Sequence, residues 1–410
     1  MKRVVITGVG AVSPFGHGAE ILRASAAEGK TAVRILSDWE ETHGLITRLG
    51  APVQELRERT IPRDLRRSMG RMGIFSVQAS QEAVADAGGI DQFEQGRLGC
   101  AVGSTIGSTV SLSELFQSFF QHEDHDISHL TPTKFFHCIS NSAAMNVANA
   151  LGLTGCVQST CGACASSILA LGFGFDQIRL GRQDAVLCGG AEELSPVAVG
   201  MFDVLFATST HFNEQPECSP RPFDAQRDGL VCGEGAGILL LESYDHALAR
   251  GAKIYAEVLG FANAANGTHI SQLNPDALEK TIREALAEAG VDPGEIDYVN
   301  AHATCTKAGD CSEAEALRRV FADRVPVSSL KGYLGHTLGA SGALELILAL
   351  EMMRTGTLLP TRNLEHVGDD CAGLYHLQQT ETRTVRTILK NSFGFGGVNT
   401  ALVIRALRAS

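Results

Sequence analysis

The chain reads as an α/β protein made of two pseudo-equivalent halves, and three observations point there. Runs of β-branched and small apolar residues alternate with runs of helical period, the order that gives a largely parallel, helix-covered sheet. Glu82-Ala-Val-Ala-Asp-Ala-Gly88 recurs as Glu284-Ala-Leu-Ala-Glu-Ala-Gly290, and each copy is followed by an acidic turn and a short apolar run. The offset between the copies, 284 − 82 = 202 residues, is close to half of the 410-residue chain, as duplication and fusion of one α/β unit would leave it.

The elements follow in order. Residues 3–12 are a β-branched run ending in glycine, a first strand. Residues 72–87 have helical spacing and stop at Gly88-Gly89. Residues 99–103 and 184–190 are short buried strands, 236–242 is a leucine-rich strand, and 256–261 is another. Residues 278–289 are strongly helical and end at Gly290. Strands at 298–302 and 387–391 complete the pattern. The polar stretch 244–253 ends in a glycine turn and is the natural seam, giving halves 1–250 and 251–410.

Composition narrows the function. The chain is 44% hydrophobic and 20% charged, ordinary for a globular protein. Its net charge of −12 disfavours general binding to nucleic acid or to anionic membranes, both of which need a positive footprint. Glycine is in excess, 44 residues of 410, while tyrosine and tryptophan number five and one, so tight turns rather than an aromatic recognition surface are expected. Lys2 and Arg3 before an apolar run, with Ala24-Ser25-Ala26 beyond, imitate a secretory leader, but Gly8 and Gly10 break the run. No apolar stretch reaches the ~18 residues of a membrane span. Eleven cysteines, an odd number set among apolar residues, read as free thiols of a reducing compartment, hence a cytoplasmic protein.

Several motifs have a dull reading that wins. Gly8-Val-Gly10 is half a dinucleotide fingerprint without its third glycine and reads as a tight strand-exit turn. His122-Glu-Asp-His125-Asp-Ile-Ser-His129 has metal-ligand residue types but no period, and reads as a solvated loop. Cys161-Gly-Ala-Cys164 has the C-x-x-C form, yet no second pair stands at zinc spacing. Residues 57–71 carry Arg57, Arg59, Arg63, Arg66, Arg67 and Arg71 against Glu58 and Asp64, a local +4 suited to docking a small acidic partner.

Three polar residues stand out by their surroundings. Cys164 lies among Gly162, Ala163 and Ala165, just before residues with one apolar helical face, as at a sharp strand-to-helix elbow. A cysteine in the first turn of a helix sits in the field of its N-terminus, which favours the thiolate. His302 ends a strand in Ala301-His-Ala303-Thr304, and His336 opens Gly335-His-Thr-Leu-Gly-Ala-Ser-Gly342 before a helix, with Lys331 upstream and Glu345 downstream. Asn391-Ser-Phe-Gly-Phe-Gly-Gly-Val-Asn399 is a glycine-dense strand exit whose N–H groups can face a ligand.

In this order the motifs resemble those of the chain-elongating β-ketoacyl-acyl-carrier-protein synthases over essentially the whole chain. The markers are Ala163-Cys164-Ala-Ser, Gly189-Gly-Ala-Glu192, Arg221-Pro-Phe-Asp-Ala-Gln-Arg-Asp-Gly229, Gly233-Glu-Gly-Ala-Gly237, Asn300-Ala-His302-Ala-Thr, Lys331-Gly-Tyr-Leu-Gly-His336 and the glycine loop after Asn391. The resemblance implies the thiolase fold, duplicated halves in an α-β-α-β-α core, and a Cys-His-His triad of Cys164, His302 and His336. It implies Lys331 and Glu345 as a supporting charged pair, and the N–H groups of Cys164 and Phe395 as an oxyanion hole. Phe395 and Phe393 border the gate to the acyl pocket, and Thr304, Thr306 and Ser271 contact the phosphopantetheine arm. The reaction implied is decarboxylative Claisen condensation of a malonyl unit with an acyl group on Cys164. It uses acyl carrier protein as partner and no metal or redox cofactor, in a homodimer or a heterodimer with a chain-length-factor-like subunit. Arg63, Arg66, Arg67 and Arg71 are then candidates for docking the carrier. The alternatives are a non-catalytic partner subunit, a thiolase, which would need a second cysteine where Phe393 and Phe395 stand, and a C-x-x-C oxidoreductase. The family's His-Gly-Thr-Gly-Thr-Pro reads His302-Ala-Thr-Cys-Thr-Lys307 here, a departure that bears on arm geometry and substrate range. Residues 202–208 and 328–331 are more similar to the aryl-polyene and polyketide branch.

Overall fold

A computed structural model describes residues 1–121, 128 and 130–407. The histidine-rich stretch 122–129 therefore falls, in all three of its histidines, outside the described residues.

Ten strands set the frame: β1 (Val4–Ser13), β2 (Leu98–Gly103), β3 (Val157–Thr160), β4 (Ala185–Glu192), β5 (Gly235–Ser243), β6 (Ala256–Ala265), β7 (Tyr298–Asn300), β8 (Pro326–Ser328), β9 (Thr387–Gly394) and β10 (Val398–Arg405). The first half runs in space β1-β5-β4-β2-β3, and the second runs β6-β10-β9-β7-β8. The direction of each neighbour also repeats. β1/β5 and β5/β4 are antiparallel while β4/β2 and β2/β3 are parallel. Likewise β6/β10 and β10/β9 are antiparallel while β9/β7 and β7/β8 are parallel. β1 and β6 pair over three residues, Val4 to Ile6 against Val258 to Ala256, joining the halves.

The expectation of a largely parallel sheet is thus only half met. Each half is mixed because its last strand returns beside the one before it. In the second half the return is a hairpin, with residues 395–397 joining β9 to β10. Alternation of strand and helix along a sequence does not encode direction, which the connections decide.

Among the helices that cover this frame are α1 (Arg71–Asp86), α2 (Ser166–Arg179), α3 (Pro275–Ala289), α4 (Lys307–Phe321) and α5 (Ser341–Thr355). The repeated sequence lies at the ends of α1 and α3, the helices that precede β2 and β7. Strand period sorts the side chains into layers. Val186, Leu239, Ile388 and Leu402 face a central core with Ile168 and Leu171 of α2 and Leu344 and Ile347 of α5. Their neighbours Leu187 and Leu240 face α1, while Leu389 and Val403 face α3 and α4. The two halves of this joined sheet, with a helix layer between them and one outside each, give the five-layered fold.

Gly8 and Gly10 lie inside β1 rather than in an exit turn. A Cβ there would meet the Ala83 and Ala79 carbonyl oxygens at 2.2 and 2.0 Å, so their role is close packing of α1. Among the described residues no helix is long and apolar enough to cross a membrane.

Candidate active site

The first functional side chain sits on a strained turn. After β3 the chain makes a 3₁₀ turn, Ala163–Ala165, in which Ala163 adopts φ 50°, a left-handed conformation costly for a residue with a Cβ. Ser166 locks the turn: its Oγ donates to the Ala163 carbonyl at 2.6 Å and accepts from the Gly162 N–H at 3.0 Å. Cys164 is thereby held at the head of α2, between the two halves of the sheet. β9 closes against it, since a Cβ on Gly394 would lie 2.2 Å from the Gly162 oxygen.

The second half supplies the partners. His336 Nε2 lies 3.0 Å from Cys164 Sγ. The His302 ring is edge-on to His336, with centroids 5.4 Å apart at 79°, and edge-on to Phe393 at 5.9 Å. One side-chain donor atom from each of Cys164, His302 and His336 falls within 4.8 Å of the others, compact enough also for a thiolate–imidazole metal site. Glu313 on α4 fixes the His302 segment, accepting from the N–H groups of His302 and Ala303 at 2.9 and 2.6 Å.

Below the histidines lies a buried charge cluster. Lys331 Nζ meets Glu345 Oε1 at 2.7 Å, and Lys390 Nζ meets Glu345 Oε2 at 2.6 Å. Burial alone would raise the Glu345 pKa, but the two ammonium groups hold it down at about 2. Burial depresses both imidazoles well below the usual histidine value; Lys331 pushes each further, His336 adds to this at His302, and Lys390 does so at both. Both rings are neutral at physiological pH, and neither Nδ1 has a protein partner among the described residues, so neither ring is fixed in one tautomer.

The thiolate expected at the helix N-terminus does not form by itself. Burial pushes the Cys164 pKa up to about 12, against which the lowering by Lys331 is smaller. The resting group is a thiol whose proton lies within reach of His336.

A cavity of about 420 Å³ leads to this cluster. Phe202, Leu205, Phe206, Leu230, Phe393 and Phe395 give it apolar walls, and the Phe395 and Phe202 rings pack with centroids 5.8 Å apart. Thr304 and Thr306 lie in its wall with hydroxyls 3.1 Å apart. Ser271 lines it too, with its hydroxyl 3.4 Å from His269 Nδ1.

The four arginines separate. Arg63 and Arg67 are exposed, and Arg66 is half-buried, 3.9 Å from Glu58. Arg71 differs from the other three, because its guanidinium turns inward onto Glu234 through two hydrogen bonds of 2.5 and 2.9 Å and donates to the Val53 carbonyl. None of the four lines the cavity. All eleven cysteines are free, with Cys161 exposed and Cys164 buried.

Comparison with known proteins agrees with this geometry. The family model for the β-ketoacyl synthase N-terminal domain matches residues 1–247, and that for the C-terminal domain matches residues 255–365. The chain belongs to the β-ketoacyl synthase family. It is 34% identical over 411 residues to 3-oxoacyl-(acyl-carrier-protein) synthase 1 of Escherichia coli (strain K12), with all of both chains covered. The crystal structure of a β-ketoacyl synthase from Burkholderia phymatum STM815 superposes with a TM-score of 0.95 at 42% identity over all of both chains. A type II polyketide acyl-carrier protein in complex with its ketosynthase (AntDE:AntF) gives 0.91 at 30% identity, covering 99% of this chain and 100% of that one. The protein is thus a condensing acyltransferase of fatty-acid or polyketide elongation with the thiolase fold.

Two residues of this synthase's site escaped the sequence reading. Glu313 sits at one of three acidic positions on a polar helix, with Asp310 and Glu315. Lys390 is a lone charge in the apolar run Thr387-Ile-Leu-Lys390, and that isolation was the available signal.

Proposed function

We propose that the protein elongates an acyl chain held as a thioester on Cys164, using malonyl units and acyl groups delivered by an acyl carrier protein. The carrying observation is the Cys164 Sγ–His336 Nε2 contact of 3.0 Å beside His302 at the inner end of an apolar cavity. In the first half-reaction the thiol sulfur attacks the acyl thioester, and its proton passes through His336 Nε2 to the departing carrier thiolate. The backbone N–H groups of Cys164 and Phe395 hold the tetrahedral oxyanion. In the second, the malonyl C–C bond to the carboxylate breaks and CO2 leaves. The electron pair becomes an enolate whose oxygen accepts from the Nε2–H groups of His302 and His336. The enolate carbon attacks the Cys164 thioester, the C–S bond breaks, and the sulfur takes one proton from solvent.

Decarboxylation creates the carbanion, so the step needs donors to the enolate oxygen rather than a carboxylate base, and two neutral imidazoles supply them. No metal or redox cofactor enters this chemistry. Thr304, Thr306 and Ser271 are placed to hold the phosphopantetheine arm, Phe395 and Phe393 to border the acyl channel, and Arg63, Arg66 and Arg67 to meet the acidic carrier. The protein works in the cytoplasm, as a homodimer or paired with a chain-length-factor-like subunit, in a polyene or polyketide-type branch.

Intact-mass analysis after incubation with a panel of acyl carriers tests the reading. An acyl adduct is expected on the wild type and not on Cys164→Ala. No adduct with any carrier would overturn it in favour of a non-catalytic partner subunit.

A further inference from the structure

Lys390 is the fourth residue of β9 and points, like Ile388, into the central layer. It is fully buried, as is Lys331, and the two ammonium groups share one carboxylate, Glu345. Lys390 Nζ also donates to the Asn391 carbonyl at 2.8 Å, and Ser341 Oγ donates to Glu345 Oε1 at 2.5 Å. One lysine already neutralises Glu345, so the second adds charge in a dry site, where burial pushes the Lys390 pKa down to about 8 despite its carboxylate partner. The fold does not require a lysine there. The fourth residue of β4, the matching strand of the first half, is Cys188, packed among apolar side chains.

The charged and titratable groups around it come from several elements. Glu345 lies on α5, Lys331 on the segment before His336, Glu313 on α4, and Tyr298 on β7, with His302 and His336 above. Glu313 is spent on the His302 and Ala303 N–H groups and on Asn391 Nδ2, and makes no direct ion pair with either lysine among the described residues.

We propose that Lys390 is a positioning residue for the decarboxylation half-reaction, clamping Glu345 and placing a second fixed positive charge beneath the two histidines that hold the enolate oxygen. This rests on the condensing reading above. The charge opposes protonation of either ring, so both remain neutral donors, and it attracts the negative charge that forms when CO2 leaves. Lys390 bonds to Glu345 and the Asn391 carbonyl and takes no part in the Cys164–His336 contact, so its loss should weigh less on acyl transfer than on CO2 release.

The test measures Cys164 acylation by intact mass and CO2 release from malonyl carrier, from about pH 6 to about pH 9.5, for wild type, Lys390→Met and Lys390→Arg. The Met variant should release CO2 about 10- to 100-fold more slowly, less than the cost of deleting a donor outright, and should lose severalfold less in the rate of acylation. Its acid limb should move to higher pH as the imidazoles become easier to protonate. Wild type should lose CO2 release above about pH 8, where Lys390 gives up its proton. The Arg variant should retain it there, and this comparison stands even if the Met variant does not fold. Equal losses in both half-reactions, or limbs unchanged in both variants, overturn the assignment. Absence of wild-type acylation would overturn the condensing reading, and this one with it.

Discussion

The turns at Ala163 and Leu338 are two copies of one device put to different uses. Each is a 3₁₀ turn, Ala163–Ala165 and Leu338–Ala340, that begins with a left-handed non-glycine residue at φ 50° and 47°. Each leads directly into a buried helix that starts at a serine, Ser166 or Ser341. Counting from the strained residue, Cys164 matches Gly339, His336 matches Cys161, and Glu345 matches Ala170. The first copy puts its reactive group inside the turn, one residue after the strained one, and the second puts it two residues before. Gly339 shows why the arrangement is not symmetric. A Cβ there would lie 2.8 Å from Glu192 Oε2 and 2.9 Å from the Thr105 nitrogen, and Glu192 uses that space to accept the Gly339 N–H at 3.0 Å. The duplicated backbone supplies direction and strain; the room left beside each copy decides which carries the nucleophile.

Making the second copy resemble the first should be costly. Glu345→Ala installs the residue of position 170 and leaves two buried lysines unpaired, with an expected loss of about 3–5 kcal/mol in urea unfolding. A loss under about 1 kcal/mol would show that the cluster is solvated and that the two helices differ less than their contacts indicate. Removing either histidine should slow CO2 release on the order of 10²- to 10³-fold, yet the two should part on acylation. His336→Ala should slow the Cys164 adduct as well, while His302→Ala leaves it near wild type, because only His336 touches the sulfur. Identical effects on both half-reactions would erase that division of labour. Gly339→Ala, the smallest graft, should cost about 1–3 kcal/mol through overpacking, read as a lower thermal midpoint. An unchanged midpoint would mean that Glu192 can withdraw and that symmetry is not barred by space.

Sequence made much of this visible for identifiable reasons. Cys164, His302 and His336 are polar residues in glycine- and alanine-rich surroundings at the ends of apolar runs, a contrast that burial produces. The repeat ending at Gly88 and Gly290 disclosed the duplication, because outer helices packed on equivalent strands keep equivalent apolar faces. Strand direction stayed hidden, since it resides in connections such as 395–397. So did Arg71, whose inward turn depends on Glu234, 163 residues away. The thiol state of Cys164 was also out of reach, because helix-end fields are local while desolvation depends on the whole packed site.

The position of β10 has a consequence for biosynthesis. It is the last of the ten strands to leave the ribosome, yet it lies inside the sheet, paired to β6 on one side and β9 on the other. Until it emerges, the nascent chain presents two unpaired strand edges and cannot complete the ladder of its second half. The glycine loop beside Cys164 is therefore braced only once β10 has been made, and until then the edges of β6 and β9 are open to edge-to-edge pairing with other chains.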